Sequence, residues 1–164
     1  MSSEIETTLR PQGHLIAAET AMRRVIDELA VSKSEVDPTT LDLLTRLRLA
    51  PGQALRGVDL CGQLLKSPSH VSRLIDRAES RGLVHRQPDP NDRRAQLITL
   101  TEAGVVAIDA FFPHVVEVLN ETWFAALSAD EVDKLVDLLS RVTASARDLL
   151  EDAARGWGTS RPRL

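Results

Sequence analysis

The chain has 164 residues, 43% of them hydrophobic, and a net charge of −4 at pH 7. That is enough apolar material for one domain core with added helices, and too acidic a balance for a protein that coats nucleic acid over its whole surface. Cys61 is the single cysteine, which rules out an intrachain disulfide, and His14, His70, His85 and His114 are scattered without ligand spacing, so neither a metal nor a cofactor is expected. Residues 1–10, MSSEIETTLR, hold no apolar run of the signal-peptide kind, and the longest apolar stretch, VVAIDAFFPHVVEVL, is broken by Asp109, Pro113 and His114. A cytoplasmic chain without membrane contact is expected. The triplet Asn120-Glu121-Thr122 matches a glycosylation acceptor, but nothing else suggests secretion.

Leu15, Ala18, Met22, Val25 and Leu29 recur at three-four spacing and predict an apolar stripe on a helix from about Pro11 to Ser32, with Glu19, Arg23, Arg24 and Asp27 facing outward. Asp37-Pro38 then supplies a capping acid and a proline at the first helical position, opening a second helix through Leu41, Leu44 and Leu47. Pro51-Gly52 stops it, and a short amphipathic segment follows with Val58, Cys61 and Leu65 on one side. In KSPSHVSRLIDRAESRGLV, Ser67 caps, Pro68 opens the helix, Val71, Leu74, Ile75 and Ala78 form the buried stripe, and Gly82 ends it. Leu83 to Gln87 and Ala95 to Thr99 read as two strands separated by PDPNDRR, a loop too long for a two-residue hairpin turn. Thr101 caps a further helix with the stripe Val105, Ile108, Phe112, Val115, Leu119, in which Pro113 is expected to cause a bend near 109–113. Ser128 to Glu131 form a capping box before a last helix through Val132, Leu135, Leu139 and Val142, and residues 155–164, RGWGTSRPRL, read as a loose tail.

The charge is unevenly placed. Between Lys66 and Arg94 stand seven basic residues against four acidic ones, a local +3, which leaves −7 for the rest of the chain. A confined positive segment is a footprint for a polyanion. Residues on the helix opened by Pro68 advance about 100° each, which groups His70, Arg73 and Arg77 opposite Val71 and Leu74, with the small side chains of Ser69 and Ser72 beside them. A major groove about 12 Å wide admits one such helix. Ser67, His70 and Asp76 do not form a catalytic triad, since a one-helix set lacks an oxyanion hole and a nucleophile elbow, and no enzyme is expected.

With these elements in place, SPSHVSRLIDRAESRGLVHRQPDPNDRRAQLITLTEAG resembles the MarR family of bacterial winged helix-turn-helix transcriptional regulators, most specifically over residues 60–104. The resemblance implies a mainly α fold with a small β-hairpin wing, a winged helix-turn-helix joined to interlocking N- and C-terminal dimerisation helices. It implies an N-terminal dimerisation helix at 1–36, the winged DNA-binding region at 37–100 and C-terminal dimerisation helices at 101–154. Carried over by position, Ser67, Pro68, Ser69, His70, Ser72, Arg73 and Arg77 belong to a recognition helix. Asp92 and Arg94 match the wing's D-x-R pattern, in which the acid orients an arginine toward the minor groove; Arg93 takes the variable middle position and would meet a phosphate or water. The implied function is that of a sequence-specific DNA-binding regulator, a ligand-responsive repressor acting on a pseudo-palindromic operator.

Apolar stripes at 15–29, 105–123 and 132–142 exceed what a winged domain covers, which points to a second copy with two-fold symmetry as partner. For a small-molecule effector, Arg23, Arg46 and Arg48 are candidate partners of an acidic compound, and Phe111, Phe112 and Trp123 candidate linings of an apolar pocket. Two other readings stand beside this one: a winged-helix protein-interaction module that never touches DNA, and a thiol-based redox sensor acting through Cys61.

Overall fold

The computed structural model describes residues 2–154, with side chains placed for 5–92 and 95–150; the expected tail at 155–164 lies outside the described residues. The order is α1 (Ser2–Lys33), α2 (Pro38–Leu49), β1 (Ala54–Arg56), α3 (Gly57–Leu64), α4 (Pro68–Ser80), β2 (Val84–Asp89), β3 (Asp92–Leu100), α5 (Glu102–Leu119) and α6 (Ala129–Ala154). Among the described residues no helix is long and apolar enough to cross a membrane. The chain divides into two compact units, Met1–Val116 and Glu117–Leu164.

Local chemistry sets the boundaries in the first unit. Asp37 caps α2, accepting the Thr40 N–H at 3.0 Å, and Pro38 needs no donor at the first position. Leu65 takes a left-handed backbone (φ 51°, ψ 41°) at the end of α3, which turns the chain so that α4 begins only three residues later. Thr101 closes the sheet-to-helix junction twice over: its hydroxyl donates to the Gly82 carbonyl at 2.6 Å and accepts the Gly104 N–H at 3.0 Å.

Three expectations need correction. First, α1 starts at Ser2 and runs through Pro11, so the proline does not begin the helix. Proline removes a single backbone donor, and the long exposed helix continues on either side of it. Second, the sheet has three strands in the order β1-β3-β2, because the short segment Ala54–Arg56 pairs antiparallel with Leu97–Thr99. Three residues are too few for an alternating pattern to register in sequence. Third, the wing turns over only Pro90 and Asn91, since Asp89 pairs with Asp92 after an irregularity between Pro88 and Asp89. The Asp89 carboxylate accepts the Asn91 N–H at 2.8 Å and thereby closes a tighter turn than the spacing alone suggests. Pro88 is tolerated because β2 is an edge strand.

The core of this unit gathers Leu43, Leu44 and Leu47 of α2, Leu60 of α3, Val71 and Leu74 of α4, Val84 and Ile98 of the sheet and Ile108 and Phe111 of α5. Each large apolar side chain buried here contributes about 1.5–3 kcal/mol. α5 runs unbroken across Pro113. In the second unit a π-helical turn at Asn120–Phe124 interrupts regular α geometry, with the Thr122 hydroxyl donating to the Val118 carbonyl at 2.7 Å. α6 then starts at the expected capping box: Glu131 accepts from both the N–H and the hydroxyl of Ser128, at 2.9 and 2.8 Å.

One glycine fixes how closely α5 approaches the rest of its unit. A Cβ on Gly104 would fall well inside van der Waals contact of the Leu83 carbonyl oxygen, a backbone atom that cannot step aside. Replacing a helical glycine with alanine ordinarily stabilises by about 1 kcal/mol. At this position the sign reverses: Gly104→Ala is expected to destabilise by about 2 kcal/mol, lowering Tm by about 4–8 °C. Thermal denaturation followed by circular dichroism checks it, and an unchanged or raised Tm contradicts the close packing.

Candidate nucleic-acid interface

α4 is built so that one face has no choice of direction. The Ser67 hydroxyl accepts the His70 N–H at 3.4 Å and lies 3.2 Å from the Ser69 hydroxyl, and Pro68 occupies the first turn. At the far end Gly82, with φ 68°, lets the Leu83 N–H reach back to the Ala78 carbonyl at 3.0 Å. Between these caps Val71, Leu74, Ile75 and Ala78 are buried, as expected, while Ser69, His70, Ser72, Arg73 and Arg77 are exposed. The structure therefore brings the expected recognition-helix residues to one surface. Arg73 curls back along the helix, its Nε donating to the Ser69 carbonyl at 3.2 Å.

Asp37 connects this helix to the start of α2. Its carboxylate also accepts the Thr40 hydroxyl at 2.7 Å and stands 3.8 Å from the Arg77 guanidinium and 3.6 Å from that of Arg81. Arg81 donates further to the Glu35 carbonyl at 2.9 Å. Partial burial pushes the Asp37 carboxyl up, but the Thr40 hydroxyl and N–H and the two arginine charges outweigh it and hold the group below the ordinary aspartate range. Arg77 is thus both exposed on the candidate surface and drawn toward an acid at its base.

Three internal ion pairs, made by two arginines, were not legible as such in the sequence. Arg86 of β2 pairs with both Asp76 and Glu79 of α4, so this member of the positive segment tethers the strand to the helix and its charge is already answered by two acids. Arg56 pairs with Asp89 at the wing turn, at 2.5 Å from Nη2 and 2.6 Å from Nε. Asp89 counted in the sequence as a charge opposing the neighbouring arginines; it is buried and structural. The Asx-turn chemistry of DPN is the signal that marks it.

The backbone places Asp92, Arg93 and Arg94 at the start of β3, directly after the turn; the side chains of Arg93 and Arg94 are not among those described. Between α4 and the wing runs an open groove of about 480 Å³, lined by Pro68, Val71, Ser72 and Ile75 on the helix and by Arg86 and Gln96 on the strands.

The candidate effector arginines each already have an acidic partner. Arg23 pairs with Glu19 at 2.5 Å, Arg46 with Asp42 at 3.2 Å, and Arg48 takes Asp109 in a two-pronged contact at 2.8 and 3.2 Å. Each spacing of four residues along one helix, or a facing acid on α5, provides a carboxylate before any ligand does. Phe111 is buried in the core with Phe112 packed beside it. Trp123 is half-buried in the second unit. Cys61 is half-buried and packs against the core, but the apolar side expected for α3 is corrected: Val58 and Leu65 are exposed, and Leu60 and Leu64 are the residues that turn inward.

The Asp37 hub carries a pH signature. A group held below its unfolded value, about 3.9 for aspartate, contributes stability above that pH and loses it as the pH falls through the folded value. Asp37→Asn keeps an acceptor for the Thr40 N–H but removes the charge. The Tm gap between wild type and Asp37→Asn is therefore expected to be widest near pH 6 and to shrink toward pH 3, as read by thermal melts at matched ionic strength. A gap independent of pH contradicts the charge assignment.

Comparison with known proteins gives the same picture from another direction. The sequence profile described as "MarR family" matches residues 36–95, the span from the end of α1 into the wing. The chain is 30% identical over 115 residues to the HTH-type transcriptional regulator YkoM of Bacillus subtilis, covering 70% of this chain and 72% of that protein. Among solved structures it is similar to AbsC, a MarR family transcriptional regulator from Streptomyces coelicolor (TM-score 0.75, 21% identity, 87% of this chain and 96% of that one). It is also similar to the C80S mutant of Escherichia coli MarR complexed with operator DNA (TM-score 0.65, 29% identity, 84% and 96%). The chain belongs to the MarR family of winged helix-turn-helix transcriptional regulators.

Proposed function

We propose that this protein is a homodimeric, ligand-responsive transcriptional repressor that reads a pseudo-palindromic operator, with α4 in the major groove and the wing in the adjacent minor groove. The observation that carries the reading is the outward polar face of α4, whose Ser69, His70, Ser72, Arg73 and Arg77 are exposed beside a projecting two-stranded hairpin. Ser67 and Pro68 bring the positive N-terminal end of α4 toward a phosphate, with the hydroxyls of Ser67 and Ser69 as donors. Arg73 and Arg77 have the length to reach base edges or phosphates, and Arg77 would leave Asp37 to do so. Arg94, oriented by Asp92, enters the minor groove, where narrow A·T-rich stretches concentrate negative potential, and Arg93 meets the backbone.

The division of labour we assign is winged DNA binding at 37–100, with dimerisation through 1–36 and 101–154. It is supported by apolar side chains left in water: Ile5, Leu9 and Ile16 on α1, and Val136, Val142 and Leu150 on α6, are each more than half exposed. A second copy covers such faces at little cost in specificity, and its two-fold axis sets two recognition helices about one helical turn apart. The effector, a small acidic or aromatic compound, rests on family membership alone. The protein would act in the cytoplasm, on the nucleoid when DNA-bound.

Arg94→Ala separates this reading from a protein-interaction module. Titrated against a matched operator, it is expected to bind more weakly and to reduce the salt slope by about one. Unchanged affinity and slope would favour the interaction module. Light scattering at micromolar concentration is expected to give twice the mass of one chain, and a single-chain species contradicts the dimer.

A further inference from the structure

α3 opens on an arginine, which is a poor choice for the position. N-caps favour Ser, Thr, Asp or Asn because a short side chain can accept an N–H of the first turn. Arg56 makes no such bond. Its guanidinium goes instead to the Asp89 carboxylate, at 2.5 and 2.6 Å. Sheet order makes this a long reach. Arg56 stands opposite Leu97 of β3, and Leu97 faces Gln87 of β2 on its other side. Adjacent strands lie about 4.8 Å apart, so the Arg56 and Asp89 side chains together bridge roughly 10 Å across β3.

Asp89 uses its two oxygens for two different tasks. Oδ1 accepts the Asn91 N–H at 2.8 Å and closes the wing turn, while Oδ2 takes both Arg56 donors. With only 4% of its surface exposed, this carboxylate is sheltered from competing water. The Asn91 N–H first, and then Arg56, hold it below the ordinary aspartate range despite burial. One carboxylate thus fixes the turn and joins it to the residue from which the helix-turn-helix begins.

We infer that Arg56 and Asp89 are positioning residues for DNA binding: they lock the wing turn to the first residue of the helix-turn-helix, so that Arg94 and α4 meet the DNA in one fixed geometry. The inference rests on the reading of Arg94 as the wing's DNA contact. Without the pair, the base of the wing is still held by the β1 ladder and by the Arg86 pairs to α4, but the turn at its tip is no longer joined to α3 and must be ordered by the DNA itself, at an entropic cost to binding.

The test uses the full chain and a matched operator. Asp89→Asn preserves an acceptor for the Asn91 N–H and removes the charge that holds Arg56; Arg56→Gln breaks the same link from its half-exposed side, and a cooperative thermal melt of each variant checks that the fold is kept. Each is expected to weaken operator binding about fivefold and to flatten the salt slope toward that of Arg94→Ala. Hydroxyl-radical protection should fade in the minor groove beside the half-site and persist along the major groove. The double variant should bind no worse than either single, and in an Arg94→Ala background neither substitution should cost more than about twofold further. Arg56→Lys, which keeps the charge but not the fork, should restore part of the loss.

If Arg94→Ala weakens binding while both substitutions leave affinity and minor-groove protection unchanged, the positioning role is overturned and the wing reading stands. Equal losses in the presence and absence of Arg94 would mean general destabilisation, which also overturns it. If Arg94→Ala itself has no effect, the wing reading fails and the positioning role with it.

Discussion

Four apolar side chains on α4, Val71, Leu74, Ile75 and Ala78, have to leave water, and the rest of the interface follows from where they go. Burying them against α2, α3 and the sheet fixes the rotation of the helix about its own axis. The remaining face then points to solvent with its serines, histidine and arginines, with no further instruction needed. Truncating one of these core residues typically costs about 2–5 kcal/mol, a large part of the stability of a domain. The surface that would meet DNA is therefore the reverse side of the face that α4 packs into the core.

Apolar burial orients the helix but does not hold neighbouring elements at a chosen height or angle to it. Ion pairs do that here. Arg86 links β2 to α4 through Asp76 and Glu79, Asp37 gathers Arg77 and Arg81 at the start of α2, and Arg56 with Asp89 fixes the wing turn. The more exposed of these pairs add little to stability. Their value lies in geometry, since each ties α4 or the wing, which carry the candidate DNA contacts, to a neighbouring element. They also explain how a chain with net charge −4 keeps a cationic face: several of its acids lie beneath or beside the arginines and aim them.

Much of this was legible in the sequence where the signal is local and chemical. The caps at Asp37, Ser67, Thr101 and Ser128, the buried stripe of α4 and the glycine after it stand in the structure as the residue types dictate. What could not be read depended on partners distant in the chain. β1 is three residues long and exists because β3 is there to pair with it. The wing turn is tighter than its spacing implies because a buried Asp89 closes it, and Asp89 is buried because Arg56, 33 residues earlier, meets it. Arg23, Arg46 and Arg48 looked available to a ligand only until their acids were located. Charge counts treat every ionised group alike, and only the fold distinguishes those that face outward from those that brace it.

The central claim is that α4 and the wing form one composite DNA-reading surface, repeated by a two-fold axis. Selection of bound sequences from a random DNA pool by the full-length protein, followed by hydroxyl-radical footprinting of the winner, tests it most directly. The account predicts a pseudo-palindrome whose half-sites are protected in major grooves about one helical turn apart, each flanked by a protected minor groove. A pool that yields no enriched sequence, or a footprint confined to a single uninterrupted groove, would contradict it.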